Sequence, residues 1–265
     1  MNFISIEVLT ALSVTLLAGL ATVIGGFLVL FHKQPSHRTL AFGLAFSAGA
    51  MVYVSLTEIL NKSVDSFSEV LTQQHAFSYG TIAFLLGMVA VIVLDRCVPN
   101  PHVIIENNQD IDQRRLNRIG LLTLFAITAH NLPEGLATFF ATLESPTLGA
   151  PLAVAISIHN IPEGIAIALP VYMATKSKKL ALLATFISGL AEPLGAILGY
   201  AILAPIMSPW VYGWVFGIIG GVMVFLALDE LLPAAKEYGE GHETVYGLVS
   251  GMGVLALSLV LLNYG

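Results

Sequence analysis

The chain has 265 residues, of which 56% are hydrophobic and only 11% charged, against ~25% charged in a typical globular protein. Eleven basic and 17 acidic side chains cannot cover a 28.2 kDa particle, so a water-soluble fold is excluded and most of the surface faces lipid. A net charge of −6 without a basic block also excludes nucleic acid as a partner, because phosphate binding needs clustered Lys and Arg.

Eight apolar runs are long enough for a ~20-residue bilayer-spanning helix, centred near Leu17, Ala50, Gly87, His130, Ile161, Leu190, Gly221 and Leu255. The first is preceded by Glu7 and by no Lys or Arg, so it reads as a retained span and not as a cleaved leader. The interruptions are short, and the whole chain, 1–265, reads as a single transmembrane domain. Its longest cytoplasmic loop, 99–116, lies between the third and fourth spans. The one cysteine, Cys97, excludes an intramolecular disulfide and a cysteine-only metal site. With both termini outside, the loops after spans one, three, five and seven are cytoplasmic. They then hold every basic residue but Lys62, including Lys33, Arg38, Arg96, Arg114, Lys178 and Lys236. That asymmetry is the positive-inside pattern, so span count and orientation support each other. Glycines at every fourth position, Gly213, Gly217 and Gly221, with Gly195/Gly199 and Gly247/Gly251, mark close helix packing and permit a homodimer without requiring one.

Spans four and five contain no Lys or Arg between Ile119 and Thr175, yet they carry His130, Glu134, His159 and Glu163, and Glu192 follows in the next run, span six. An ionised carboxylate at bilayer depth costs at least ~2.5–3.5 kcal/mol, so these glutamates require protons, water or cations. His130 with Glu134, and His159 with Glu163, are four residues apart and share a helix face, so each pair can grip one ion. Imidazole with carboxylate suits first-row and related divalent metals such as Zn, Fe, Mn, Co or Cd better than Ca or Mg. Both pairs lie in a repeated hexapeptide, His130-Asn131-Leu132-Pro133-Glu134-Gly135 and His159-Asn160-Ile161-Pro162-Glu163-Gly164. Consecutive spans run antiparallel, so the copies can face each other across a pseudo-twofold axis near the midplane. Pro133 and Pro162 free the carbonyls of Ala129 and Ile158, and Asn131 and Asn160 add oxygen donors. Glu192-Pro193 repeats the combination and can bridge two ions.

These residues resemble the ZIP (zinc-iron permease) family of divalent metal importers; the two HNxPEG motifs followed by AEP resemble its bacterial branch. The resemblance covers essentially the whole chain. It implies an all-α membrane protein of eight transmembrane helices (3+2+3) with inverted-repeat pseudo-symmetry, in the inner membrane of a bacterial cell. It also implies a binuclear mid-membrane site with His130, Glu134, His159, Glu163 and Glu192 as principal ligands and Asn131 and Asn160 serving the second ion. Met51 matches a family position near the metal. Glu58, near the outer end of span two, and Asp229 and Glu230, near the inner end of span seven, are candidate pathway residues. Between Asp95 and Arg118 the chain has only His102 and Cys97 as histidine or cysteine, which argues against a histidine-rich metal sensor there.

The expected function is therefore import of Zn(II) and related divalent cations into the cytoplasm. The metal is cargo, no prosthetic group is expected, and the protein is not expected to be an enzyme. One rival is a membrane-embedded metallohydrolase, against which stands the lack of HExxH and of separated acid and base roles. The other is a proton-coupled solute carrier, against which stand the two His-Glu pairs.

Overall fold

A computed structural model describes residues 5–31, 37–95, 113–239 and 241–263, and among the described residues no strand occurs. Ten α-helices follow one another: α1 (Ile6–Phe31), α2 (His37–Val54), α3 (Leu60–Ser68), α4 (Gln73–Asp95), α5 (Gln113–Glu144), α6 (Pro146–Thr175), α7 (Lys178–Leu203), α8 (Pro209–Leu226), α9 (Leu232–Tyr238) and α10 (Glu243–Asn263). Two junctions are π turns. Ser55–Ile59 joins α2 to α3, with the Leu60 N–H donating to the Ser55 carbonyl, and Ala227–Leu231 joins α8 to α9 through Leu232 and Ala227. Each π turn widens the helix by one residue without ending it.

Among the described residues, seven helical stretches are long and apolar enough to cross a membrane: those of α1, α2–α3, α4, α6, α7, α8–α9 and α10. The remaining long helix, α5, runs 32 residues and carries the first hexapeptide. It already includes Gln113–Leu116, which the sequence reading gives to the end of the loop; Cys97 and His102 lie outside the described residues. The breaks between helices have local causes. Ser145 is extended and hands over to Pro146, which loses nothing at a helix start because the first N–H has no partner there. Lys176 closes α6 in the left-handed region at φ 54°. The hydroxyls of Ser177 and Ser208 accept the N–H groups of Leu180 and Val211 and so cap α7 and α8.

The helices pack as two groups: α1, α5, α6 and α7 chiefly against one another, and α2–α3, α4, α8–α9 and α10 likewise, joined mainly where α2 meets α6 and α5 meets α8. Polarity is reversed relative to a soluble protein. Leu17 and Leu257 are 68% and 66% exposed, while Asn131, Glu134, His159, Asn160 and Glu163 of the hexapeptides are buried, the distribution that lipid demands. At one end of the bundle Arg38 pairs with Glu243 at 3.5 Å and Lys178 donates to the Leu30 carbonyl at 3.3 Å. Phe67, Tyr79, Trp210 and Trp214 form an edge-on aromatic cluster of the kind that anchors helices at a membrane interface.

Candidate metal site

The two hexapeptides sit mid-helix on α5 and α6, which share only Ser145 between them and therefore pack antiparallel. Asn131, Glu134, His159, Asn160, Glu163 and Glu192 are all 0% exposed. One oxygen of Glu134, one ring nitrogen of His159 and one oxygen of Glu163 lie within 4.8 Å of one another, a group that could hold a metal ion. Donors ~2.0–2.2 Å from a tetrahedral ion sit ~3.4 Å apart, so small side-chain rotations close the group on a cation.

The hydrogen bonding is that of a site lacking positive charge. His159 Nδ1 lies 3.2 Å from the Ala155 carbonyl, an acceptor that requires the proton on Nδ1. In the neutral ring Nε2 then presents a lone pair to Glu134 Oε1 at 3.2 Å. Two lone pairs at that separation repel, and a proton or a cation shared with them turns repulsion into attraction. Glu192 reaches in from α7, its Oε1 accepting from Asn160 Nδ2 at 2.5 Å, while the same amide donates to the Ala18 carbonyl at 3.0 Å. Asn131 Nδ2 donates to the carbonyl of Ser188 at 2.9 Å and contacts its hydroxyl at 3.3 Å. Both asparagine amides thus spend N–H groups on a backbone carbonyl and a neighbouring side chain and leave their oxygens over. Among the described residues, Asn131 Oδ1, Asn160 Oδ1, Glu134 Oε2, both oxygens of Glu163 and Glu192 Oε2 are buried without a hydrogen-bond partner. So many adjacent acceptors without donors fit a cation.

The sequence reading pairs each His with the Glu four residues on. The closest His–Glu contact described runs instead between helices, from His159 to Glu134, because antiparallel packing sets Glu134 opposite the turn that carries His159. The His130 side chain lies outside the described residues. Met51 is fully buried in the core, one helical turn after Ser47, whose hydroxyl donates to the His159 carbonyl at 2.8 Å. Glu58 is half-buried in the first π turn, and Asp229 and Glu230 occupy the second, exposed and half-buried; none of the three joins the Glu134–His159–Glu163 group. Sequence reasoning missed Ser47, Ser188 and the Ala18 carbonyl. Ser188 was recoverable, since it stands one helical turn before Glu192.

Glycines set the spacing of the walls. A Cβ at Gly135 would collide with the Glu192 carbonyl, and one at Gly164 with the Thr22 carbonyl, so α5 and α6 approach α7 and α1 with backbone nearly touching backbone.

Comparison with known proteins agrees with this geometry. Residues 100–259 match the family described as ZIP Zinc transporter. The chain is 61% identical to the zinc transporter ZupT of Stenotrophomonas maltophilia strain R551-3 over 258 residues, 96% of each chain. It is 62% identical to that of Xanthomonas campestris pv. campestris over 262 residues, 97% of this chain and 96% of the relative. With the ZupT of Chlorobium limicola it shares 48% over 259 residues, 95% and 97%. A lipid-embedded helical bundle, Glu134 of one hexapeptide meeting His159 and Glu163 of the other in its interior, and near-full-length relatives agree: the chain belongs to the ZIP family of zinc transporters.

Proposed function

We propose that this protein carries Zn(II), and related divalent cations such as Fe, Mn, Co and Cd, across a bacterial inner membrane into the cytoplasm. The observation that carries the reading is the cluster of three buried carboxylates with unpartnered oxygens against an imidazole. In this reading Glu134, His159, Glu163 and Glu192 hold the cation, His130 completes the set, and Asn131 and Asn160 serve a second ion bridged by carboxylate. The cation supplies the charge that the cluster lacks and displaces the protons that neutralise it in its absence.

The proposed topology is eight spans, α5 included, with both termini outside. Basic Arg38 and Lys178 then share the cytoplasmic end, in keeping with their contacts to Glu243 and Leu30. Glu58 stands towards the outer side of the path, Asp229 and Glu230 towards the inner, and Met51 at its margin. Access alternates as the α1/α5/α6/α7 group shifts against the other helices. A homodimer is compatible with this arrangement and not needed for it.

Uptake of radioactive zinc into proteoliposomes tests the proposal. Wild type accumulates zinc saturably, and His130→Ala and Glu163→Ala do not. Undiminished uptake by both variants would overturn the assignment of the site.

A further inference from the structure

The two-fold relation between the hexapeptides extends to the helices that flank them. Asn160 on α6 donates to the Ala18 carbonyl of α1, and Asn131 on α5 donates to the Ser188 carbonyl of α7. A Cβ at Gly19 would strike the Gly189 carbonyl, and one at Gly189 the Gly19 carbonyl. Gly25 abuts the Ile161 carbonyl and Gly195 the Leu132 carbonyl; Gly164 abuts the carbonyl of Thr22 and Gly135 that of Glu192. Each contact has a mirror, and every mirror pairs an α1 residue with the α7 residue 170 positions later. The sequence carries the trace: Gly19-Leu20-Ala21-Thr22-Val23-Ile24-Gly25 against Gly189-Leu190-Ala191-Glu192-Pro193-Leu194-Gly195.

Under this relation His130 mirrors His159, Asn131 mirrors Asn160 and Glu134 mirrors Glu163. The counterpart of Glu192 is Thr22. Thr22 is 0% exposed, and its hydroxyl has no hydrogen-bond partner among the described residues. Among the described residues Thr22 shares this with Ser55, Thr128 and Thr138, whereas Thr10, Ser13, Thr15, Ser66, Thr142 and Ser157 each donate to the carbonyl four residues back. For Thr22 that carbonyl belongs to Ala18 and is taken by Asn160. The Cβ positions agree with the mirror as well: a Cβ at Gly19 would lie 3.4 Å from that of Glu192, and one at Gly189 3.6 Å from that of Thr22.

We propose that Thr22 is a specificity-determining residue of the cation site, its hydroxyl lining the cavity at the place that mirrors Glu192. The proposal rests on the reading of the cluster as a divalent-cation site. Thr22 makes the two halves of that site unequal. With Glu192 alone the cluster holds three carboxylates, so two divalent cations bound together keep a surplus positive charge and repel. A glutamate at position 22 would balance them and trap both.

A sulfur placed at this position reads out contact with the ion directly. In the Cys97→Ser background, Thr22→Cys introduces a single thiol of nearly the same size as the original side chain. Saturating cadmium is expected to give that variant a thiolate-to-cadmium charge-transfer absorbance that Cys97→Ser alone lacks. Cadmium binding by both proteins without the band overturns the proposal. Failure of Cys97→Ser itself to bind cadmium overturns the reading of the cluster, and this inference with it. An exchange across the two-fold is the second test. Glu192→Thr is expected to weaken cadmium binding ~10-fold or more, and Thr22→Glu added to it to recover most of that loss. A double variant that folds and binds no better than Glu192→Thr contradicts the mirror assignment.

Discussion

Glu163→Gln separates what the cluster does for the fold from what it does for the cation. Both carboxylate oxygens of Glu163 are buried and have no hydrogen-bond partner among the described residues, and an ionised carboxylate in that setting costs ~2.5–3.5 kcal/mol or more. The near-isosteric amide removes that cost, so the cation-free variant is expected within about 1 kcal/mol of wild type, or more stable. The cation-bound form loses a ligand, taken here as ~100-fold in affinity. With zinc at ~100 times the wild-type Kd, binding stabilises the wild type by ~2.7 kcal/mol. The variant, then at about its own Kd, gains only ~0.4 kcal/mol. At ~2–4 °C per kcal/mol for a chain of this size, zinc raises the wild-type melting midpoint by ~5–10 °C and that of the variant by about 1–2 °C. Melts in detergent followed by the fluorescence of Trp210 and Trp214 measure both. Equal zinc shifts in the two proteins would refute the ligand role of Glu163, and a cation-free midpoint several degrees below wild type would make the residue structural.

Zinc affinity measured by equilibrium dialysis should fall as pH drops from about 7.5 to 5.5, because each imidazole and carboxylate that binds the cation must shed its proton. Ser47→Ala removes the 2.8 Å hydrogen bond to the His159 carbonyl; it should cost ~1 kcal/mol of stability and alter the rate of uptake more than equilibrium zinc binding. Gly135→Ala pushes a methyl group into the Glu192 carbonyl; a loss of ~1–3 kcal/mol in the melting profile is expected, along with weaker zinc binding as α7 is displaced. Arg38→Ala breaks an exposed ion pair with Glu243; it should change stability by less than ~1 kcal/mol and leave zinc affinity as it was.

The polar half of the site was legible because chemistry announces itself in an apolar chain. His130, Glu134, His159, Glu163 and Glu192 are costly where they stand, and their spacing identifies a shared helix face. What sequence could not show is the contact between helices. The link from His159 to Glu134 depends on how α5 and α6 lie together, and Ala18 takes part through a carbonyl, which every residue possesses. Thr22 escaped notice for a related reason: buried threonines usually satisfy themselves on their own helix, so only the loss of that carbonyl to Asn160 distinguishes it. The π turns at Ser55–Ile59 and Ala227–Leu231 were equally silent, since propensities do not separate a five-residue hydrogen-bond step from a four-residue one. Close packing of Gly195, Gly221 and Gly251 was foreseen from their spacing, and each now abuts a backbone carbonyl of a neighbouring helix.

Complete burial of Asn131, Glu134, His159, Asn160, Glu163 and Glu192 has a kinetic consequence. A cation with even one water attached cannot reach donors that a water-sized sphere does not touch, so this conformation neither loads nor unloads cargo. Exchange proceeds only through the fraction of molecules that open, which slows entry and exit alike. Association should therefore be slow, saturate at high cation concentration at the rate of opening, and lose the concentration dependence of a diffusional encounter.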